Sequence, residues 1–114
     1  MPFRKTPCEV AGVEPCPVDF GSRVGLARSA RAQLPIHGMR VRPSPGMTGW
    51  FIWAGEYSHD ESFFEPVHAG HISDVCAVAV PFLELPPGWR FLADGSGYCD
   101  VWYDEALVSF DADR

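Results

Sequence analysis

No window of this 114-residue chain approaches the roughly 18–20 uninterrupted apolar residues that a membrane span requires. The opening Met1-Pro2-Phe3-Arg4-Lys5 is not followed by an apolar stretch of signal-peptide length. A cytoplasmic address without a membrane partner is the expectation, and there the thiols stay mostly reduced. Cys8, Cys16, Cys76 and Cys99 contain no C-x-x-C pair, which argues against a zinc ribbon. Nucleotide phosphates find no cradle, because neither a P-loop nor a G-x-G-x-x-G run occurs. The G-x-S-x-G elbow of serine hydrolases is missing too, since Gly95-Ser96-Gly97 reads as a hairpin turn instead of a strand-to-helix corner. His59 beside Asp60 is adjacency in sequence, which does not make a triad. Asp104-Glu105 and Asp60-Glu61 read as solvated loop charges. These absences predict a protein that is not an enzyme and takes no cofactor.

What is present suits a single packed domain. The chain falls in the usual size range of one domain, and its fifteen aromatics (four Trp, eight Phe, three Tyr) are ample core material. Each large ring buries about 150–250 Å². Charge is uneven: Met1 to Pro45 carries seven Arg/Lys against three Asp/Glu, whereas Gly46 to Arg114 carries two against twelve. An acidic surface repels nucleic acid and attracts basic partners at long range.

Along the chain, four prolines in residues 1–20 predict an irregular lead-in, with a short strand near Val10. Residues 21–108 are expected to form one α+β domain, and 109–114 a polar tail. Leu26, Ala27, Ala30 and Leu34 make a thin stripe that predicts a helix over 22–34, ended by Pro35. Ile36 to Arg42 alternates, with Met39 and Val41 on one side and Arg40 and Arg42 on the other, as in a half-exposed strand. Gly49 to Ala54 is apolar on both faces and fits a central strand, paired with the preceding one as a hairpin. A loop spans 55–65, and Pro66 sits well in the first turn of a second helix. Ile72, Val75, Cys76, Ala79 and Leu83 continue that helix. Trp89 to Ala93 and Tyr98 to Tyr103 flank the Asp94-Gly95-Ser96-Gly97 turn as a second hairpin. The predicted class is α+β: an antiparallel sheet of four to five strands with two helices packed on one face.

Two binding chemistries compete with a protein interface. His68 and His71, three apart on the predicted helix, could share a face with Cys76 nearby as a small metal or ligand site. Zinc, however, needs four converging donors, and five residues from His71 to Cys76 turn about 140° around a helix. No metal ligand is therefore assigned. Arg23, Arg28, Arg31, Arg40 and Arg42 could form a basic patch, but the acidic remainder opposes nucleic acid.

The loop Glu56-Tyr57-Ser58-His59-Asp60-Glu61-Ser62-Phe63-Phe64-Glu65 is the strongest binding feature. Aromatic anchors supply affinity while carboxylates steer a basic partner. Glu56, Tyr57, Asp60, Glu61, Phe63, Phe64 and Glu65 are the candidate contact residues, with Asp100, Asp104 and Glu105 as expected neighbours. One of Phe63 and Phe64 is expected to tuck inward and staple the loop. A purely structural interaction module fits the same features. Edge strands and exposed aromatics also leave room for a homodimer.

Four runs carry a family resemblance: Gly49-Trp50-Phe51-Ile52-Trp53-Ala54-Gly55-Glu56, Phe64-Glu65-Pro66-Val67-His68, Leu85-Pro86-Pro87-Gly88-Trp89-Arg90-Phe91-Leu92 and Asp100-Val101-Trp102-Tyr103-Asp104. Together they resemble the Imm33 immunity-protein domain, formerly a bacterial domain of unknown function, over roughly 49–107. The resemblance implies an immunity protein of a bacterial polymorphic toxin system, which neutralises a cognate toxin by binding it. It implies no catalytic residue, and residues 1–20 lie outside it.

Overall fold

Six strands form one sheet in the order β4-β1-β3-β2-β5-β6 in the computed structural model, which describes residues 6–60 and 62–109. The strands are β1 (Arg23–Ala27), β2 (Ile36–Arg40), β3 (Met47–Ala54), β4 (Phe64–His68), β5 (Trp89–Ala93) and β6 (Cys99–Tyr103). The helices are short: α1 (Pro7–Ala11), α2 (Ile72–Val75) and α3 (Ala106–Ser109), with 3-10 turns at Arg28–Arg31, Ala69–His71 and Ala77–Phe82. No described helix is long and apolar enough to cross a membrane. The class is α+β, but the sheet is mixed and larger than expected, because β1 pairs with β3 in parallel.

Residues 23–27 form a strand where the sequence predicts a helix. Val24 and Leu26 are fully buried, and Gly25 lets β1 lie close to β3: a Cβ there would stand 2.7 Å from the Phe51 ring. The apparent helical stripe fails at Leu34, which is 56% exposed. The β2–β3 hairpin forms as expected. So does the β5–β6 hairpin, with Trp89 opposite Tyr103.

β4 replaces the predicted helix start at Pro66, which lies opposite Gly25. An edge strand tolerates a proline because its missing N–H removes no interior ladder bond. The helical pattern beyond it is real but broken into pieces. Ile72, Cys76, Ala79 and Leu83 are buried as their spacing predicts, yet Cys76 at φ −156° and ψ 66° interrupts the helix.

Within the described part of 1–20, Val10 lies in α1 and not in a strand. Thr6 and Glu9 make a reciprocal capping box, Pro7 occupies the first turn, and Gly12 closes the helix at φ 75°. Those residues satisfy end groups that such a short helix cannot satisfy itself.

One side of the sheet holds the main core. Trp50, Ile52, Ile36, Leu26 and Phe91 are fully buried there with Ile72, Ala79 and Leu85. Arg40 points into this core as well, which corrects its expected place on an exposed strand face. It is 2% exposed. Its Nε donates to the Thr48 carbonyl at 2.9 Å, and its Nη1 donates to the carbonyls of Cys16 and Leu85 at 2.9 Å each. A buried cation is tolerable here because carbonyl oxygens replace its water.

Candidate functional site

Strand register sorts the side chains of the opposite sheet face. Gly25 faces Pro66 and Phe51, Phe51 faces Met39, Met39 faces Arg90, and Arg90 faces Trp102. Directly opposed residues point to one side, so Phe64, Phe51, Trp53, His37, Met39, Leu92 and Trp102 share this face. The buried core cluster, with the apolar residues of the helical segments, belongs to the other.

The loop after β3 folds toward this face through its rings. Tyr57 is the hub: it meets Trp53 edge-on at 5.1 Å, His59 at 5.1 Å, Phe63 at 5.7 Å and Phe64 at 5.9 Å. Phe64 stands edge-on to Phe51 at 5.0 Å and to Phe63 at 4.8 Å. Such pairs are worth about 0.5–1.5 kcal/mol each beyond burial, so the aromatic cluster holds its own shape. Both phenylalanines are half-buried, while Tyr57 keeps 42% of its surface exposed. His37 stacks on Trp53 at 5.3 Å. Burial, aided by the Arg90 cation, lowers its pKa and favours the neutral ring.

Polar groups organise the loop tip. Asp60 accepts from the Ser62 amide and hydroxyl, both at 2.8 Å. These bonds hold its carboxyl below the ordinary value. The tip and the start of β4 border a cleft of about 540 Å³, lined among others by Arg28, Ser58, Asp60, Ser62 and Phe63.

The candidate contact residues divide into two groups. Tyr57, Asp60, Phe63, Phe64 and Glu65 gather at the β4 end, and Glu56 is exposed just after β3. Glu61 lies outside the described residues. Asp100 and Asp104 belong to β6 and the turn after it, at the opposite edge. They are not neighbours of the loop: five interstrand spacings of about 4.8 Å separate the edges by about 24 Å. Two of the acids are already engaged. Glu65 pairs with Arg28 at 3.1 Å and Arg31 at 3.8 Å, and Asp104 accepts from Arg90 at 2.8 Å.

The competing sites assemble less well. His68 ends a strand instead of sitting on a helix; its ring is 5.7 Å from that of His71, and both residues are exposed. Cys76 is buried in the core, and that burial raises its thiol pKa. No group of three or more His, Cys, Asp or Glu among the described residues is placed to hold a metal ion. All four cysteines are free thiols. The arginine patch is divided too, since Arg40 is buried and Arg28 and Arg31 engage Glu65.

A family model for the Imm33-like domain matches residues 4–104. The chain belongs to the Imm33-like domain family. The match reaches back through α1, beyond the span over which the resemblance is legible in sequence. Imm33-like domains are named for immunity proteins. No curated protein and no solved structure matches the chain.

The sequence reading missed Phe51, Trp53, His37, Leu92 and Trp102 as members of one face. The signal was present in β3, whose apolar residues on both sides imply a second covered face. Here the second cover is the protein's own loop at one end, with Trp102 40% exposed at the other.

Proposed function

We propose that this Imm33-like domain is a non-catalytic immunity protein that binds and neutralises a cognate bacterial toxin in the cytoplasm. Its contact surface is the ring-bearing sheet face together with the Glu56–Glu65 loop. The observation that carries the reading is the continuous aromatic cluster of Phe51, Trp53, Tyr57, Phe63 and Phe64. It lies on the sheet face opposite the core cluster, in a chain of an immunity-protein family. Rigid aromatic anchors bordered by carboxylates are the composition of interface hot spots.

Area limits how the face is used. Six strands of about five residues make a face of roughly 24 by 17 Å, on the order of 400 Å². A stable complex buries about 800 Å² per partner. The loop and the β6 flank therefore belong to the contact along with the face, so Asp100 joins the surface as a distant part of one footprint.

The test is growth rescue by co-expression with a candidate toxin, sought among the genes adjacent to that of this chain. Wild type should protect the cell and co-purify with the toxin. Tyr57→Ala combined with Asp60→Ala and Glu61→Ala should lose both properties while still unfolding cooperatively, at a midpoint lowered only by the lost ring pairs and loop-tip bonds. Phe64 is spared because it packs on Phe51. Full protection by the folded triple variant would remove the loop from the interface, and failure of wild type to protect would overturn the immunity reading.

A further inference from the structure

The two edges of the sheet are built differently. β4 carries Pro66, which cannot donate a bond, and Glu65, held by two arginines. Proline and charged side chains are the usual devices that keep an edge from pairing with another chain. β6 reads Cys99-Asp100-Val101-Trp102-Tyr103 and contains no proline, lysine or arginine.

The outward groups of β6 can be identified. The Asp94 amide donates to the Tyr98 carbonyl at 3.2 Å, and the Asp104 amide donates to the Gly88 carbonyl at 2.7 Å. In an antiparallel ladder the direction of the polar groups alternates along the strand. Tyr98, Asp100, Trp102 and Asp104 thus turn their backbone toward β5, and Cys99, Val101 and Tyr103 turn theirs away. Among the described residues nothing accepts from or donates to those three outward positions. A row of unmatched donors and acceptors on a proline-free edge is a template for one more strand.

We infer that β6 is the docking edge for an extended, basic segment of the toxin, joined to the sheet by strand addition. This rests on the proposed toxin-binding reading and names the segment's chemistry. Charge selects the occupant. From Trp89 to Glu105 the hairpin carries Arg90 against Asp94, Asp100, Asp104 and Glu105, and Arg90 is already spent on Asp104. Asp100 is exposed and has no ion pair among the described residues. A second copy would set this acidic hairpin against itself, which like-charge repulsion opposes. A lysine or arginine beside Asp100 completes a cross-strand pair instead. The next position along that face meets Trp102, 40% exposed, with Tyr98 and Tyr103 flanking the edge at 55% and 51%.

The probe is an octapeptide of alternating lysine and valine, followed by amide NMR at low salt, with a glutamate–valine octapeptide as control. The basic peptide should shift the amides of Cys99, Val101 and Tyr103, and the acidic one should not. Val101→Pro removes an outward N–H without touching the β5 ladder and should weaken binding about tenfold. Asp100→Arg, a purely surface change, should do the same even if the proline variant fails to fold. Absent shifts, shifts confined to β4, or unchanged binding by folded variants would overturn the inference. So would slow exchange of these amides in a dimer of the protein alone. Toxin assays separate the two readings. If wild type and Val101→Pro neutralise the toxin equally, the docking edge falls and immunity stands. If the peptide docks but no toxin is neutralised, immunity falls.

Discussion

Replacing Arg40 with Met should cost this domain a large fraction of its stability, although no carboxylate partner is lost. The guanidinium is 2% exposed and lies 5.8 Å from the centre of the Trp50 ring. Its three bonds of 2.9 Å tie together β3 through Thr48, the 1–20 segment through Cys16, and the stretch before β5 through Leu85. Methionine fills much of the volume but leaves three carbonyls without that donor. A buried acceptor left unsatisfied costs about 1–3 kcal/mol. The wild-type cation offsets part of this, because its own desolvation costs several kcal/mol. The expected net loss is about 2–4 kcal/mol, the penalties of the three stranded carbonyls less the desolvation cost recovered with the cation. A domain of this size has only about 5–15 kcal/mol in total. Urea unfolding followed by tryptophan fluorescence reads the loss directly. Amide exchange adds a local test, because the Cys16 amide, bonded to the Glu84 carbonyl at 2.7 Å, should lose protection first. Arg40→Lys should recover little, since one ammonium on a flexible stem cannot reproduce the planar fork. A loss within about 1 kcal/mol for Arg40→Met would refute the idea that this cation clasps three segments.

Three further outcomes follow from other parts of the molecule. Gly38→Ala would put a Cβ 2.1 Å from the Phe91 ring, and that ring is stacked on Phe82 at 4.3 Å. Overpacking of this kind costs about 1–3 kcal/mol, and a thermal melt in which Phe91→Leu partly rescues Gly38→Ala would show that the clash is the cause. Hydrogen bonds depress the carboxyls of Asp60 (from Ser62), Asp94 (from Ser96) and Asp104 (first from Arg90) below their ordinary 3.8. Their contribution is therefore present above pH 3.8 and lost as pH falls below it through their folded values. Urea midpoints should decline through that acid range, and more shallowly for Asp94→Asn. Thiol titration of the native protein should label exposed Cys99 first, with Cys8 and Cys76 reacting only on unfolding, because burial raises both of their pKa values and reduces their thiolate.

Local chemistry alone was enough for several elements. The Asp94-Gly95-Ser96-Gly97 turn and its two arms were legible because a tight hairpin is specified within a dozen residues. The buried positions of the 72–83 stretch were legible from spacing even though the helix itself is broken. The four prolines of residues 1–20 predict an irregular lead-in, and the Thr6–Glu9 capping box that makes α1 emerged only from the structure. β1 and β4 were not legible. Each is five residues long, and each is a strand because of what lies beside it: Phe51 against Gly25 for one, and an exposed edge for Pro66 in the other. Arg40 shows the same limit. Alternation assigned it a side, but only the carbonyls of distant segments could make that side the core.

The binding region divides along this line. The sequence by itself determined that this chain can bury a core, that its loop pairs rings with acids, and to which family it is similar. Those properties depend on residue type and short spacing. Tertiary structure alone decided that loop and sheet rings form one surface, that Glu65 and Asp104 are already paired, and that Asp100 lies on the far edge. Those depend on strand order, which is set by the summed packing of residues far apart in the chain.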